Sequence, residues 1–126
     1  MLADSKAFSG FAVDDLEKAQ EFYAETLGLK TSRPEEDLLT LHLADGRDTL
    51  IYRKPDFTPA TYTILNFEVD DIDAAVDELR SKGVEMERYE GFDQDEKGIG
   101  RSDGESPDIA WFKDPAGNIL SVLTTP

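Results

Sequence analysis

Two stretches of this chain are near copies of one another. Phe11-Ala12-Val13-Asp14-Asp15-Leu16-Glu17-Lys18-Ala19 returns as Phe67-Glu68-Val69-Asp70-Asp71-Ile72-Asp73-Ala74-Ala75, 56 residues later. An internal repeat of this kind constrains architecture before any local reading begins. Each copy is too short to enclose a core of its own, and 126 residues is an ordinary length for one domain. The repeat therefore predicts a single domain, residues 1–126, made of two like modules at about 6–54 and 62–124. The Pro- and Thr-bearing segment at about 55–61 reads as the linker between them.

Within each copy the residue pattern turns from strand to helix at the same point. Residues 6–13 read as a strand. Asp14 then offers an N-cap, with Glu17 three residues on as the other half of a capping box. Leu16, Ala19, Phe22, Tyr23 and Leu27 recur at helical spacing, and Gly28 is a natural stop. Strands are expected at 30–33, 38–43 and 49–52, with Asp45-Gly46 as a hairpin turn. The second module repeats the order: a strand at 62–69, then a helix whose face carries Ile72, Ala75, Val76 and Leu79 and which ends at Gly83. Strands at 84–89, 109–112 and 119–123 complete it. Asp114-Pro115-Ala116-Gly117-Asn118 reads as a turn, since Pro fixes one φ and Gly and Asn tolerate positive φ. Residues 90–107, rich in Gly, Asp and Glu, have only a short counterpart in the first module and read as an inserted loop.

Composition narrows the functional classes. The net charge of −15 repels phosphate backbones and anionic lipid, which argues against nucleic-acid and membrane partners. The absence of cysteine closes disulfide, thiolate-metal and cysteine-nucleophile chemistry. No apolar run is long enough for a membrane span, and the first residues lack the charged and apolar regions of a secretory signal. A cytoplasmic protein is the expectation. A helix after the first strand of each module needs a sheet to cover. This predicts an α+β fold in which each module is a strand, a helix and two or three further strands, with the helices outside a curved sheet that encloses a groove.

These residues carry a family resemblance. The first copy of the repeat with Phe22-Tyr23 and Leu27-Gly28-Leu29, then Phe67-Glu68-Val69-Asp70-Asp71-Ile72, then Trp111-Phe112-Lys113-Asp114-Pro115-Ala116-Gly117-Asn118 fall in a familiar order. In this the chain resembles the vicinal oxygen chelate superfamily, also called the glyoxalase/bleomycin-resistance/dioxygenase group, over about residues 6–123. The resemblance implies paired βαβββ modules around a cleft and a homodimer, in some members with modules exchanged between chains. It also implies a divalent metal held by a His near the start of each module's first strand and a Glu or His on each last strand. The matching positions here are Phe8, Tyr52, Ile64 and Ser121, and none is a good ligand. With a single His in the chain, a paired-His site within one subunit is impossible.

The expected function is therefore a glyoxalase/bleomycin-resistance-like protein without the usual metal ligands or other cofactor, binding a small organic molecule in its cleft. Phe8 and Tyr52 would line that cleft, with Trp111 beside them. Asn66, Glu68 and Ser121 would supply polar contacts, and His42, alternating with Leu41 and Leu43, a base or hydrogen bonder. Residues Phe92, Asp93 and Asp95 of the inserted loop would cover it. Asp93, Asp95 and Gly98 match three positions of a calcium loop, but Gly104 stands where the bidentate Glu is needed. The resemblance also links the acidic charge to a cationic ligand. The alternative is a metal-dependent lyase, isomerase or dioxygenase of the same superfamily, with a non-standard site through His42, Glu68 or the acidic loop. A structural dimer with a filled cleft is a third reading.

Overall fold

The computed structural model describes residues 1–102, 104 and 106–125. The chain divides into two compact units, Met1–Thr58 and Pro59–Pro126. Each unit is a small mixed sheet covered by one helical segment.

In the first unit, β1 (Ser9–Val13) leads into α1 (Leu16–Gln20), which continues through a wider π-helical turn, Glu21–Thr26. Strands β2 (Lys30–Glu35), β3 (Leu38–Leu43) and β4 (Arg47–Arg53) follow. The sheet order is β1-β4-β3-β2, with β1 parallel to β4 and the other pairs antiparallel. Phe11, Val13, Leu39, Leu41 and Ile51 are buried on the sheet, and Leu16, Ala19 and Tyr23 on the helical segment. Each buried Val, Leu, Ile or Phe among these contributes about 1.5–3 kcal/mol by leaving water. Gly10 is required by close strand approach, because a Cβ there would lie 2.9 Å from the Leu50 carbonyl oxygen. β2 is the sheet edge, and its register against β3 shifts between Ser32 and Glu35. Pro34, lacking an N–H for the ladder, sits in that irregularity, where an edge strand tolerates it.

The second unit repeats the plan. β5 (Thr63–Glu68) leads into α2 (Ile72–Ser81), and β6 (Ile109–Lys113) and β7 (Ile119–Leu123) complete a sheet ordered β5-β7-β6. β5 runs parallel to β7, as β1 does to β4. Ile72, Val76 and Leu79 of α2 are buried, as are Ala110, Phe112, Leu120 and Val122 of the sheet. Asp114 stitches the β6–β7 turn: its carboxylate accepts from the backbone N–H of Ala116 and Asn118 and from the Asn118 side-chain amide. That segment is a structural turn, as its residues predict. No described helix is long and apolar enough to cross a membrane.

The structure departs from the sequence expectations at the cap of α1 and over residues 84–89. The cap of α1 is Asp15, not Asp14: Asp15 Oδ1 accepts from the N–H groups of Glu17 and Lys18 at 3.0 and 3.1 Å. Its counterpart Asp71 caps α2 by accepting from Ala74 N–H at 3.1 Å, so the repeat is in register at the caps. Residues 84–89 do not form the predicted strand. They make one isolated bridge, Met86 to Phe112, and one bond from Glu87 N–H to the Trp111 carbonyl at 2.8 Å. The Gln94 side chain supplies the reason. It accepts from Tyr89 N–H at 2.8 Å and donates to the Glu87 and Gly98 carbonyls at 2.9 and 2.8 Å. Backbone groups that a strand ladder would use are thereby spent on the inserted loop.

Candidate functional site

In the second unit a bulge decides which side chains share a face. Thr63 pairs with Ile119 and Leu65 with Leu120, leaving Ile64 as the extra residue. Thr63, rather than Ile64, is therefore aligned with Asn66 and Glu68 on the face away from α2. The same face carries Ile119, Ser121 and Leu123 of β7 and Trp111 and Lys113 of β6. The Trp111 indole N–H donates to Thr63 Oγ1 at 3.2 Å, which fixes the ring. Ser121 is fully buried, and its hydroxyl donates to Asn66 Oδ1. Asn66, Ser121 and Trp111 thus stand side by side across the three strands. Glu68 lies one register step beyond, opposite Leu123.

Around Trp111 the chain builds an aromatic pocket of about 230 Å³, lined by Thr61, Tyr62, Thr63, Tyr89, Phe92, Trp111 and Ile119. Tyr89 and Phe92 stand edge-on to Trp111, with ring centroids 5.4 and 5.2 Å away. Tyr62 is 70% exposed and Phe92 60%, so the rim is open to solvent. The Tyr89 hydroxyl is buried with no hydrogen-bond partner among the described residues. Burial, with the nearby Glu87 charge, pushes its pKa up and keeps the phenol neutral.

The loop that carries Phe92 is fastened to α2 by ion pairs. The Arg101 guanidinium grips Asp73 through two bonds, 2.8 and 3.0 Å, and reaches Asp95 Oδ2 at 3.0 Å. Lys97 pairs with Asp73 at 3.4 Å and Asp77 at 3.0 Å. Ile99 is fully buried beneath. Hydrogen bonds from Arg101 hold the Asp73 carboxyl down at about 2, against the opposing effect of burial. For Asp95, burial works upward, but bonds from the N–H groups of Ile99 and Lys97 and from Arg101 prevail and lower it. Asp95 thereby clasps the loop, its two oxygens accepting from Lys97 N–H, Ile99 N–H and Arg101. Asp93 is exposed and makes no ion pair among the described residues. A second hollow, about 360 Å³ and lined by Arg80, Gly83, Val84, Glu85, Met86, Arg88, Glu96 and Lys97, has charges of both signs and no aromatic ring.

In the first unit, the face away from α1 carries Lys30 and Ser32 of β2, Thr40 and His42 of β3, and Asp48 and Tyr52 of β4. His42 and Tyr52 lie at opposite ends of that face, since His42 pairs with Asp48 and Tyr52 with Leu38. That separation is about 13 Å along the strands. Phe8 precedes β1 and is 68% exposed. His42 is held at both ring nitrogens: Ser32 Oγ lies 2.8 Å from Nε2 and Asp48 Oδ1 lies 3.0 Å from Nδ1. Reading the sequence alone misses Ser32 and Asp48, although a hairpin centred on Asp45 sets 42 opposite 48. It also misses Tyr62, Thr63, Tyr89 and Gln94 as pocket builders. Tyr89 and Phe92 reach Trp111 from outside any periodic element, so spacing gives no signal for them.

The metal that the resemblance implies does not fit these residues. Among the described residues no three His, Asp or Glu side chains converge to hold an ion. At the matching positions, Phe8 has no donor atom, Thr63 is aligned where Ile64 was expected, and the Ser121 hydroxyl is committed to Asn66.

Comparison with known proteins gives the family. Residues 7–122 match the model of the glyoxalase/bleomycin resistance protein/dioxygenase superfamily, and the chain belongs to that superfamily. It is 29% identical to the protein YraH of Bacillus subtilis over an alignment of 125 positions that covers 87% of this chain and 90% of that one. Its fold is similar to the fosfomycin resistance protein FosX from Listeria monocytogenes, with TM-score 0.74 and 14% identity over 98% of this chain and 94% of that one. It is also similar to TnmS3, an antibiotic binding protein from Streptomyces sp. CB03234, with TM-score 0.70 and 23% identity over 98% of both chains.

Proposed function

We propose that this member of the superfamily binds a small organic molecule through the aromatic pocket of its second unit, without a metal in the binding step. The observation that carries the reading is the pocket itself: Tyr62, Tyr89, Phe92 and Trp111 converge around an open hollow of about 230 Å³. Binding sites for small molecules are concave and mostly apolar, with a few placed polar groups. Here Thr61 and Thr63 supply the polar groups and four rings the apolar surface. The volume suits a fragment or one ring system, with the rest of a larger ligand extending past the exposed rings of Tyr62 and Phe92. The net charge of −15 favours neutral or cationic compounds over anions. Two fold relatives described as antibiotic-resistance and antibiotic-binding proteins are consistent with a sequestering role. The loop supports the reading too, because a preordered wall lowers the ordering penalty of binding.

A thermal-shift screen with neutral and cationic aromatic compounds tests this. A true ligand at a hundred times its dissociation constant stabilises the fold by about 2.7 kcal/mol. The expected result is a concentration-dependent rise in Tm that Trp111→Ala abolishes. No compound raising Tm at millimolar concentration overturns the proposal.

A further inference from the structure

The Ser32, His42 and Asp48 side chains form an ordered chain across three adjacent strands of the first unit. We propose that they make a nucleophilic site that takes the acyl group of small activated esters, with Ser32 as the attacking residue. This goes beyond ligand binding in the aromatic pocket and does not rest on it.

The polarity of the chain is set by its end. A carboxylate only accepts, so the 3.0 Å contact with Asp48 Oδ1 places the hydrogen on His42 Nδ1. His42 Nε2 is then left with its lone pair, and the Ser32 hydroxyl, 2.8 Å away, donates to it. A nucleophile bonded to a base that is oriented by a third group is the arrangement that activates a serine, whatever fold carries it. Sheet register holds the parts in place: His42 is paired with Asp48 across β3–β4 and with Lys30 across β2–β3. Lys30 lies two residues from Ser32 on the same face of β2, is exposed, and makes no ion pair among the described residues. It adds a positive charge to the face on which an oxyanion would develop. Ser32 is exposed and the His42 side chain is 37% exposed, so a small ester can reach them.

The chemistry balances without a cofactor. Ser32 Oγ bonds to the ester carbonyl carbon as its proton passes to His42 Nε2, and the resulting imidazolium is stabilised by Asp48. Collapse breaks the bond to the leaving alkoxide, which takes the proton from His42 and departs as an alcohol. Water then attacks the acyl group, gives its proton to His42, and returns Ser32 with release of the acid. Because the site is open to water, nothing shields the acyl group from hydrolysis, and the ester is expected to turn over.

The test uses the whole chain with an alkyl fluorophosphonate and, separately, p-nitrophenyl acetate, read by intact mass and peptide mapping. The expected result is one phosphonyl group on Ser32, with loss of fluoride, absent in Ser32→Ala and slowed at least about tenfold in His42→Gln. Asp48 acts through His42 as a positioning residue. The chain has one His, so nitrogen NMR of that ring reads its tautomer directly. Asp48→Asn is expected to move the hydrogen off Nδ1 and to slow labelling, while Tm stays near wild type because the group is exposed. The proposal is overturned if label falls on other residues and not on Ser32. It is equally overturned if His42→Gln labels at the wild-type rate, or if Asp48→Asn changes neither tautomer nor rate.

Discussion

Replacing Gln94 by Ala should loosen one wall of the aromatic pocket while leaving the sheet intact. Its side chain joins three backbone groups that no strand ladder satisfies: Tyr89 N–H and the carbonyls of Glu87 and Gly98, at 2.8, 2.9 and 2.8 Å. At about 0.5–1.5 kcal/mol for each bond, the gross loss is about 1.5–4.5 kcal/mol. The bonds are part-buried, so water can replace some of each, and the expected loss is near the lower end, about 2 kcal/mol. That energy holds the loop, not the core, so it should appear as local opening. Amide hydrogen exchange is the suitable assay. Tyr89 and Ile99, whose N–H groups bond to Gln94 and Asp95, should exchange about 30-fold faster, with core amides of β6 and β7 little changed. Trp111, the one Trp in the chain, should shift its emission to the red as Tyr89 and Phe92 leave its edges. Unchanged exchange at Tyr89 and Ile99, together with unchanged Trp111 emission, would refute the reasoning.

Four further outcomes are expected. Acid should release the Arg101 clamp: the Asp73 pKa is depressed to about 2, so its stabilisation is full above the unfolded value of 3.8 and fades as pH falls from there toward 2. Wild type and Asp73→Asn should therefore differ in stability at pH 7 and converge by pH near 2 in urea unfolding; a constant difference across that range would contradict the assignment. Leu39→Ala, at a fully buried position under α1, should cost about 2–5 kcal/mol in denaturant unfolding. Asp15→Ala should cost about 0.5–2 kcal/mol and Asp14→Ala far less, which separates the observed cap from the one its neighbour suggests. Protein purified without chelator should carry no stoichiometric Ni, Zn, Fe or Mn by elemental analysis, and tight stoichiometric metal would restore the metal-dependent reading.

The repeat was legible because it is written in local chemistry. Leu16 and Ile72 begin each buried stripe, and β3 and β7 have the expected bounds, although the Asp pair ahead of each helix does not by itself tell which Asp caps. The placement of Asn66 and Glu68 on one face of β5 follows from strand period. Three other features depend on contacts between residues distant in sequence. One extra residue at Ile64 changes which side chain aligns with Trp111, and neither Gly nor Pro marks the bulge. Gln94 takes the bonds of an expected strand through its side chain, which hydrophobic periodicity cannot register. Ser32 reaches His42 only through the β2–β3 pairing, on an edge strand whose Pro34 weakens its strand signal.

The central claim is that the second unit takes a small organic ligand against Trp111. Titrating the protein with hits from the aromatic panel while following Trp111 emission tests it most directly, since no other Trp contributes. The account predicts a saturable change for at least one compound, with affinity reduced in Phe92→Ala, whose exposed ring lines the pocket. Compounds that bind, by calorimetry, without altering Trp111 emission, or with equal affinity in Phe92→Ala, would place the ligand elsewhere and contradict it.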